Sequence, residues 1–337
     1  MKDKEKFRRI LSKSFSSVIP ENQEVPELPT FIKSGILSLD WALNGGFPRG
    51  QISHLWGPDG AGKTMSMIPV CVETQKNPVI NGLVLYIATE PKVDQRIFYR
   101  FGVDPEKIVF AMTRERDKPL DGNIAMDMMR LAIGEVDLII LDSVAGLTPR
   151  VVYEMESADY AIGKVAALLS MQLPQVANLT KATKTAVILL NQQRASFSQF
   201  GMDTKPFAGY ALKHWIANTC YIRSSGWILG PGKVAIGFKP KLTVFKNDFG
   251  PPRREAGWDV NWETGIDLVQ QTVQFAKDMG LITGGSGYKH LGNLELNHPE
   301  KRSLDDVILR AREEPELLEA IRTAVMSFSG SMEENDA

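Results

Sequence analysis

Four short apolar runs, at residues 52–56, 83–88, 138–141 and 186–190, punctuate the first two thirds of the chain, with longer stretches of helical periodicity between them. Runs of that length with little polar alternation predict strands covered on both faces, and strands alternating with helices predict a parallel sheet in an α/β fold. Residues 241–245 and 257–262 predict strands of a later, antiparallel extension. From Gly265 onward the pattern becomes helical, at 267–279, 303–312 and 315–328, with Ser303 as an N-cap, Pro315 in a first turn and the glycine-rich ITGGSGYKHLG as an interruption. At the other end, Phe7, Ile10 and Leu11 fall at helical spacing within a charged stretch at 2–15. One narrow apolar stripe needs a partner. The segment IPENQEVPELPT, with Pro20, Pro26 and Pro29, predicts an extended tether, so the helix either docks on a neighbouring subunit or folds back on its own core. The domain reading is therefore 1–32 for an N-terminal oligomerisation helix and tether, 33–265 for the core, 266–330 for a small C-terminal α/β domain, and 331–337, ending MEENDA, for a solvated acidic tail.

With 337 residues and 43% hydrophobic content, the chain can bury a full core. The formal net charge is −1, so nucleic-acid affinity would need local basic patches, there being no global positive field. Cys71 and Cys220 stand far apart, which argues against a zinc module and against a disulfide framework. No stretch reaches the roughly 18 apolar residues of a membrane span, and the basic N-terminus lacks an apolar signal core. A cytoplasmic protein without a membrane partner is the expectation.

Each predicted strand ends in polar residues: the run GPDGAGKT, then Thr89 and Glu90, then Asp142 and Ser143, then Asn191 and Gln192. In doubly wound sheets ligands sit at the carboxyl ends of strands, so these sets are expected to converge on one nucleotide. GPDGAGKT comprises Gly57, Asp59, Gly60, Ala61, Gly62, Lys63 and Thr64 around Pro58, and it follows a strand and opens a helix. Glycines there let successive N–H groups turn onto phosphate oxygens, backed by the positive end of the helix dipole. Lys63 supplies a mobile charge and the Thr64 hydroxyl a magnesium ligand. Asp142 fits a carboxylate that holds magnesium through water, or a helix cap, and Glu90 a base for the attacking water, or a surface glutamate. Asn191 and Gln192 are either γ-phosphate sensors or ordinary strand-end amides. The stretch 193–209 reads as a long loop that mixes Arg194 and Lys205 with Phe197, Phe200 and Phe207, a composition suited to single-stranded nucleic acid. A second loop at 153–163 carries Tyr160 and Ile162 among the negative Glu154, Glu156 and Asp159. Packing against an adjacent subunit is the alternative for both loops.

The motifs together resemble the RecA recombinase family. The resemblance runs from SGILSLDWALNGGFPRGQISHLWGPDGAGKT through Glu90, FGVD at 101–104, LDSVAGLTP at 141–149, NQQR at 191–194 and YALKHW at 210–215, in the family's order. It implies a P-loop ATPase core that uses ATP and Mg2+, with Lys63, Glu90 and Gln192 in catalysis and Asp94 near the adenine. It also implies that the segments around Ile162 and Phe197 bind DNA, that the N-terminal helix docks on the next protomer, and that a helical homo-oligomer forms on single-stranded DNA and pairs it with duplex as second substrate. Lys246 matches one of two lysines that reach a neighbour's nucleotide, but Asp248 occupies the other position. Ala167 and Pro174 stand where arginines are usual, and His214 where an aromatic ring is. The implied function is ATP-dependent strand exchange in recombination and repair; a helicase-type motor on the same fold and an accessory mediator paralogue are the alternatives.

Overall fold

The apolar runs become a sheet because their alternate residues serve two separate cores. In the computed structural model, which describes residues 30–115, 119–153, 161–198, 201–283, 290–291, 294–295 and 303–328, the strands β1 (Phe31–Ile32), β2 (Phe47–Pro48), β3 (Ile52–Gly57), β4 (Val84–Ala88), β5 (Ile108–Met112), β6 (Leu138–Asp142) and β7 (Ala186–Ser198) lead the chain. Every residue of β3, β4 and β6 is buried. Tyr86, Ile140 and Ile188 enter one apolar cluster with Met67 and Val70 of the helix Lys63–Lys76, while Ile87, Ile139 and Leu189 enter another with Met129 and Leu169 of the helices Gly122–Ala132 and Ala161–Thr183. That split is the period-two geometry of a strand with helices on both faces.

The later strands are β8 (Gly201–Pro206), β9 (Ile216–Leu229), β10 (Ala235–Asn247), β11 (Glu255–Gly257) and β12 (Val260–Asn261). The large sheet runs β11-β10-β9-β3-β7-β6-β4-β5, parallel from β9 to β5, with β10, β11 and β12 forming the expected antiparallel extension. The parallel register brings Gly57 beside Gln192 and Ala88 beside Asp142, so the polar strand ends share one edge.

Two sequence expectations change. Residues 31–32, assigned to the tether, pair with Phe47–Pro48 as a short antiparallel sheet. The stretch 193–209 is no open loop: β7 continues past the sheet and pairs with β8 in a hairpin whose register sets Arg194 against Lys205. Its scattered phenylalanines form neither an apolar run nor a regular alternation, which is why the periodicity missed it. The helices Leu268–Asp278, Leu304–Glu313 and Pro315–Ser327 bury Val273, Val307 and Ile321 in a third cluster that Leu37 joins, and Ser303 caps its helix through a reciprocal pair with Asp306. The N-terminal helix and tether at 2–29, the span 154–160, Phe200, the stretch 284–289 and the acidic tail lie outside the described residues.

Candidate functional site

The turn after β3 takes its shape from glycine. Gly60 and Gly62 have φ of +72° and +95°, a region side chains disfavour. Gly57 lies against the Ile222 carbonyl, where an added Cβ would come within 1.9 Å of the oxygen. Lys63, in the first turn of its helix, folds back so that its ammonium donates to the carbonyls of Gly57 at 3.0 Å and Pro58 at 2.9 Å. Those two bonds hold the charge on the loop. Burial lowers the lysine's pKa, opposed by the negative field of Asp59, Asp142 and Glu90.

Asp142 closes the next strand but one. Its Oδ2 accepts from the Thr64 hydroxyl at 2.7 Å and from the Tyr86 hydroxyl at 2.6 Å. Desolvation raises the Asp142 pKa and the two hydroxyls lower it, while burial beside that carboxylate drives the Tyr86 phenol well above its ordinary range. Glu90 Oε1 accepts from the Ser143 hydroxyl and, at 2.9 Å, from the Gln192 amide. Thr89 binds Ser143 in both directions, donating to its carbonyl at 2.7 Å and accepting from its N–H at 2.9 Å. Lys63, Thr64, Glu90, Asp94 and Asp142 line one cleft of about 470 Å3, together with Trp227 and Trp262. Asp94 caps the helix Gln95–Arg100 and grips Arg96 through both carboxylate oxygens. Lys246 is not among the cleft's lining residues: its ammonium donates to the Ile216 carbonyl and, at 3.0 Å, to Asp248.

The hairpin begins where the cleft ends, because Gln192 is followed directly by its first paired residue. Arg194 stacks its guanidinium over the Phe207 ring, 4.6 Å from the centroid. Phe207, expected to face DNA, is instead buried at 4% exposure in the second apolar cluster, since the hairpin folds the chain back onto the sheet. Its backbone N–H donates to the Gln192 carbonyl at 3.1 Å, and its own carbonyl accepts from the Asn191 amide at 2.8 Å. Lys205 is exposed on the return strand. Ile162 lies in the first turn of Ala161–Thr183, and the backbone of Phe197 pairs with Met202; the side chains of both are outside the described set.

Sequence reasoning missed two residues here and left a third, a strand-end serine, without a role. Tyr86 and His54 look like strand fillers, yet each carries a polar tip inside a buried strand, which is the signal that marks them. His54, 3% exposed, faces the Asn191 amide at 3.1 Å, and burial drives its imidazole down to about 3. Ser143, directly after the expected aspartate, is the third.

A model of the RecA N-terminal domain matches residues 12–267. The chain belongs to the RecA family. A protein named RecA from Thermus thermophilus is 32% identical over 314 residues, covering 92% of this chain and 87% of the relative, and one from Aquifex pyrophilus is 30% identical, covering 92% and 85%. A Syntrophus aciditrophicus RecA is 31% identical over 301 residues, covering 89% and 84%. Membership in the RecA family makes ATP-dependent recombination the function, and it favours neither the helicase-type motor nor the accessory mediator. Of the departures expected from the sequence, Pro174 lies inside the helix Ala161–Thr183, His214 is exposed, and Lys246 pairs with Asp248 of its own chain. No helix among the described residues is long and apolar enough to cross a membrane.

Proposed function

We propose that the cleft binds and hydrolyses ATP with Mg2+, that single-stranded DNA engages the β7–β8 hairpin and the segment around Ile162, and that copies assemble into a helical filament that pairs the bound strand with duplex DNA. The observation that carries this reading is the bond from Gln192 to Glu90. Glu90, the base assigned to the attacking water, is tied to Gln192, the last residue of β7 that pairs with β3 before the strand enters the hairpin.

The residues present suit the ligands. Gly60 and Gly62 open the loop so that backbone N–H groups meet phosphate oxygens, and an added Cβ at Gly62 would strike the Phe238 ring at 2.8 Å. Thr64 and Asp142 offer oxygen donors only, the set that magnesium prefers. Bound with ATP, magnesium would supply charge neutralisation across the β and γ phosphates. Lys63 exchanges its two carbonyl partners for phosphate oxygens, a gain in charge complementarity. Asp142 orients the Thr64 hydroxyl. Glu90 accepts a proton from water once Gln192 releases it, so the amide acts as a latch on the base. Gln192 then transmits the change to Arg194, two residues along the same strand. Asp94 stands at the cleft for the base, and Lys246 is assigned to a neighbouring protomer's nucleotide after it leaves Asp248.

ATP hydrolysis measured with and without single-stranded DNA, alongside joint-molecule formation, tests enzyme, ligand and purpose together. The expected result is DNA-stimulated hydrolysis that Lys63→Ala abolishes together with ATP-dependent assembly. Hydrolysis indifferent to DNA, or filaments in Lys63→Ala with ATP, would overturn the reading.

A further inference from the structure

The hydroxyl of Tyr86 donates to the carboxylate expected to serve magnesium, with the Thr64 hydroxyl as its other polar neighbour. Tyr86 is fully buried on β4, two residues before the strand's end. The parallel register sets Ala88 against Asp142, so Tyr86 and Asp142 are diagonal neighbours on one face of the sheet. The phenol ring is fixed edge-on against Phe98, with centroids 4.9 Å apart, and tilted against Phe110 at 5.4 Å. Its position therefore owes little to the hydrogen bond. The hydroxyl reaches Asp142 Oδ2 at 2.6 Å, the same oxygen that accepts from Thr64 at 2.7 Å. An ionised carboxylate with two donors on one oxygen has lost the freedom to rotate, and its other oxygen is left for a metal-bound water.

We propose that Tyr86 is a positioning residue for magnesium: its hydroxyl locks the Asp142 carboxylate in the orientation that receives the hydrated ion beside Thr64. The proposal rests on the magnesium–ATP reading of the cleft. Tyr86 touches neither nucleotide nor metal; it acts through Asp142. Outer partners of this kind typically change metal affinity by roughly tenfold or more when removed. A purely structural tyrosine would change stability alone.

The test is equilibrium binding of a fluorescent ATP analogue to the full-length protein, titrated with magnesium chloride in the absence of DNA, for wild type, Tyr86→Phe and Phe110→Leu. Phenylalanine keeps the ring that Phe98 and Phe110 pack against, so Tyr86→Phe retains the fold, as thermal melting will verify. The half-saturating magnesium concentration should rise roughly tenfold in Tyr86→Phe, with metal-free nucleotide binding unchanged. Phe110→Leu, which loosens the ring from outside the cleft and keeps the hydroxyl, should lower the melting temperature and leave the magnesium midpoint near wild type. A wild-type midpoint in Tyr86→Phe, or an equal shift in Phe110→Leu, overturns the role of Tyr86 alone. Nucleotide binding that ignores magnesium in the wild-type protein overturns the cleft reading and the proposal with it.

Discussion

Replacing His54 with glutamine should remove a large pH dependence of stability. His54 Nε2 faces the Asn191 amide nitrogen, whose other proton goes to the Phe207 carbonyl, while the Asn191 side-chain oxygen accepts from the Gln192 N–H at 2.9 Å. That network assigns the imidazole its neutral form with the acceptor toward Asn191, so a protonated ring would set N–H against N–H. Burial holds the folded-state value near 3, against an ordinary value of 6.5. Between those values the unfolded chain binds a proton that the folded one refuses, so the stability is whole above pH 6.5 and drains as pH falls toward 3. At ~1.4 kcal/mol per pH unit, the fall from pH 6.5 to 5 costs about 2 kcal/mol, and the whole window about 5. Asp40 works in the opposite direction. Buried beside Ser34, it is raised from 3.8 to about 6, chiefly by desolvation, so its contribution is full below 3.8 and disappears as pH rises through 6. In wild type the two slopes oppose each other between about pH 4 and 6, which is why the difference between proteins must be read. Urea unfolding followed by tryptophan fluorescence at pH 5.0, 5.5, 6.5 and 7.5 supplies it: the wild-type minus His54→Gln stability should shrink by about 2 kcal/mol from pH 6.5 to 5. A difference constant across pH, within the error of the extrapolation, would refute the burial argument.

Glu90→Gln should keep nucleotide binding and filament formation while lowering hydrolysis by roughly 10²-fold, because it removes the base and retains the shape; equal loss of binding and turnover would contradict the assignment. Phe207→Ala should destabilise the protein by about 3–5 kcal/mol in denaturant titrations, as expected for a buried ring, and a DNA-binding defect at unchanged stability would mean the ring faces the ligand instead. Arg194→Ala should lower the log–log salt slope of single-strand binding by about 0.7, the signature of one phosphate contact, and an unchanged slope would leave the cation with its ring-stacking role only. Deleting residues 1–15 should weaken self-association in light scattering while leaving a folded nucleotide-binding core, whereas loss of the monomer's thermal stability would favour the fold-back reading.

What the sequence made legible follows from which signals are local. The strands ending at Gly57, Ala88 and Asp142 were readable because residues buried on both faces are apolar in succession, and the carboxyl-end rule then gathered Lys63, Thr64, Glu90, Asp142 and Gln192 toward the cleft they line or border. The hairpin was not readable, since its pairing depends on backbone bonds between residues whose side chains carry no periodic signal. Phe207 was misjudged for a related reason. Composition cannot tell a ring that meets a base from one that a returning strand tucks under Arg194. Tyr86 and His54 were hidden because a partner set by parallel register, 56 and 137 residues away, leaves no mark on the neighbouring sequence.

The hand-over in β7 constrains how this chain can vary. Up to Gln192 the strand is laddered to β3, and from Gln193 it is laddered to β8, so a single peptide bond joins two pairing systems. A residue inserted at that junction would turn every later side chain of the strand to the opposite face, taking Arg194 off the Phe207 ring. The same insertion near residues 199–200, beyond the last paired positions Ser198 and Gly201, would leave the register at the base intact. Length changes should therefore be tolerated at the far end of the hairpin and rejected at its root, which makes the root the fixed point to which tips of other lengths can be grafted.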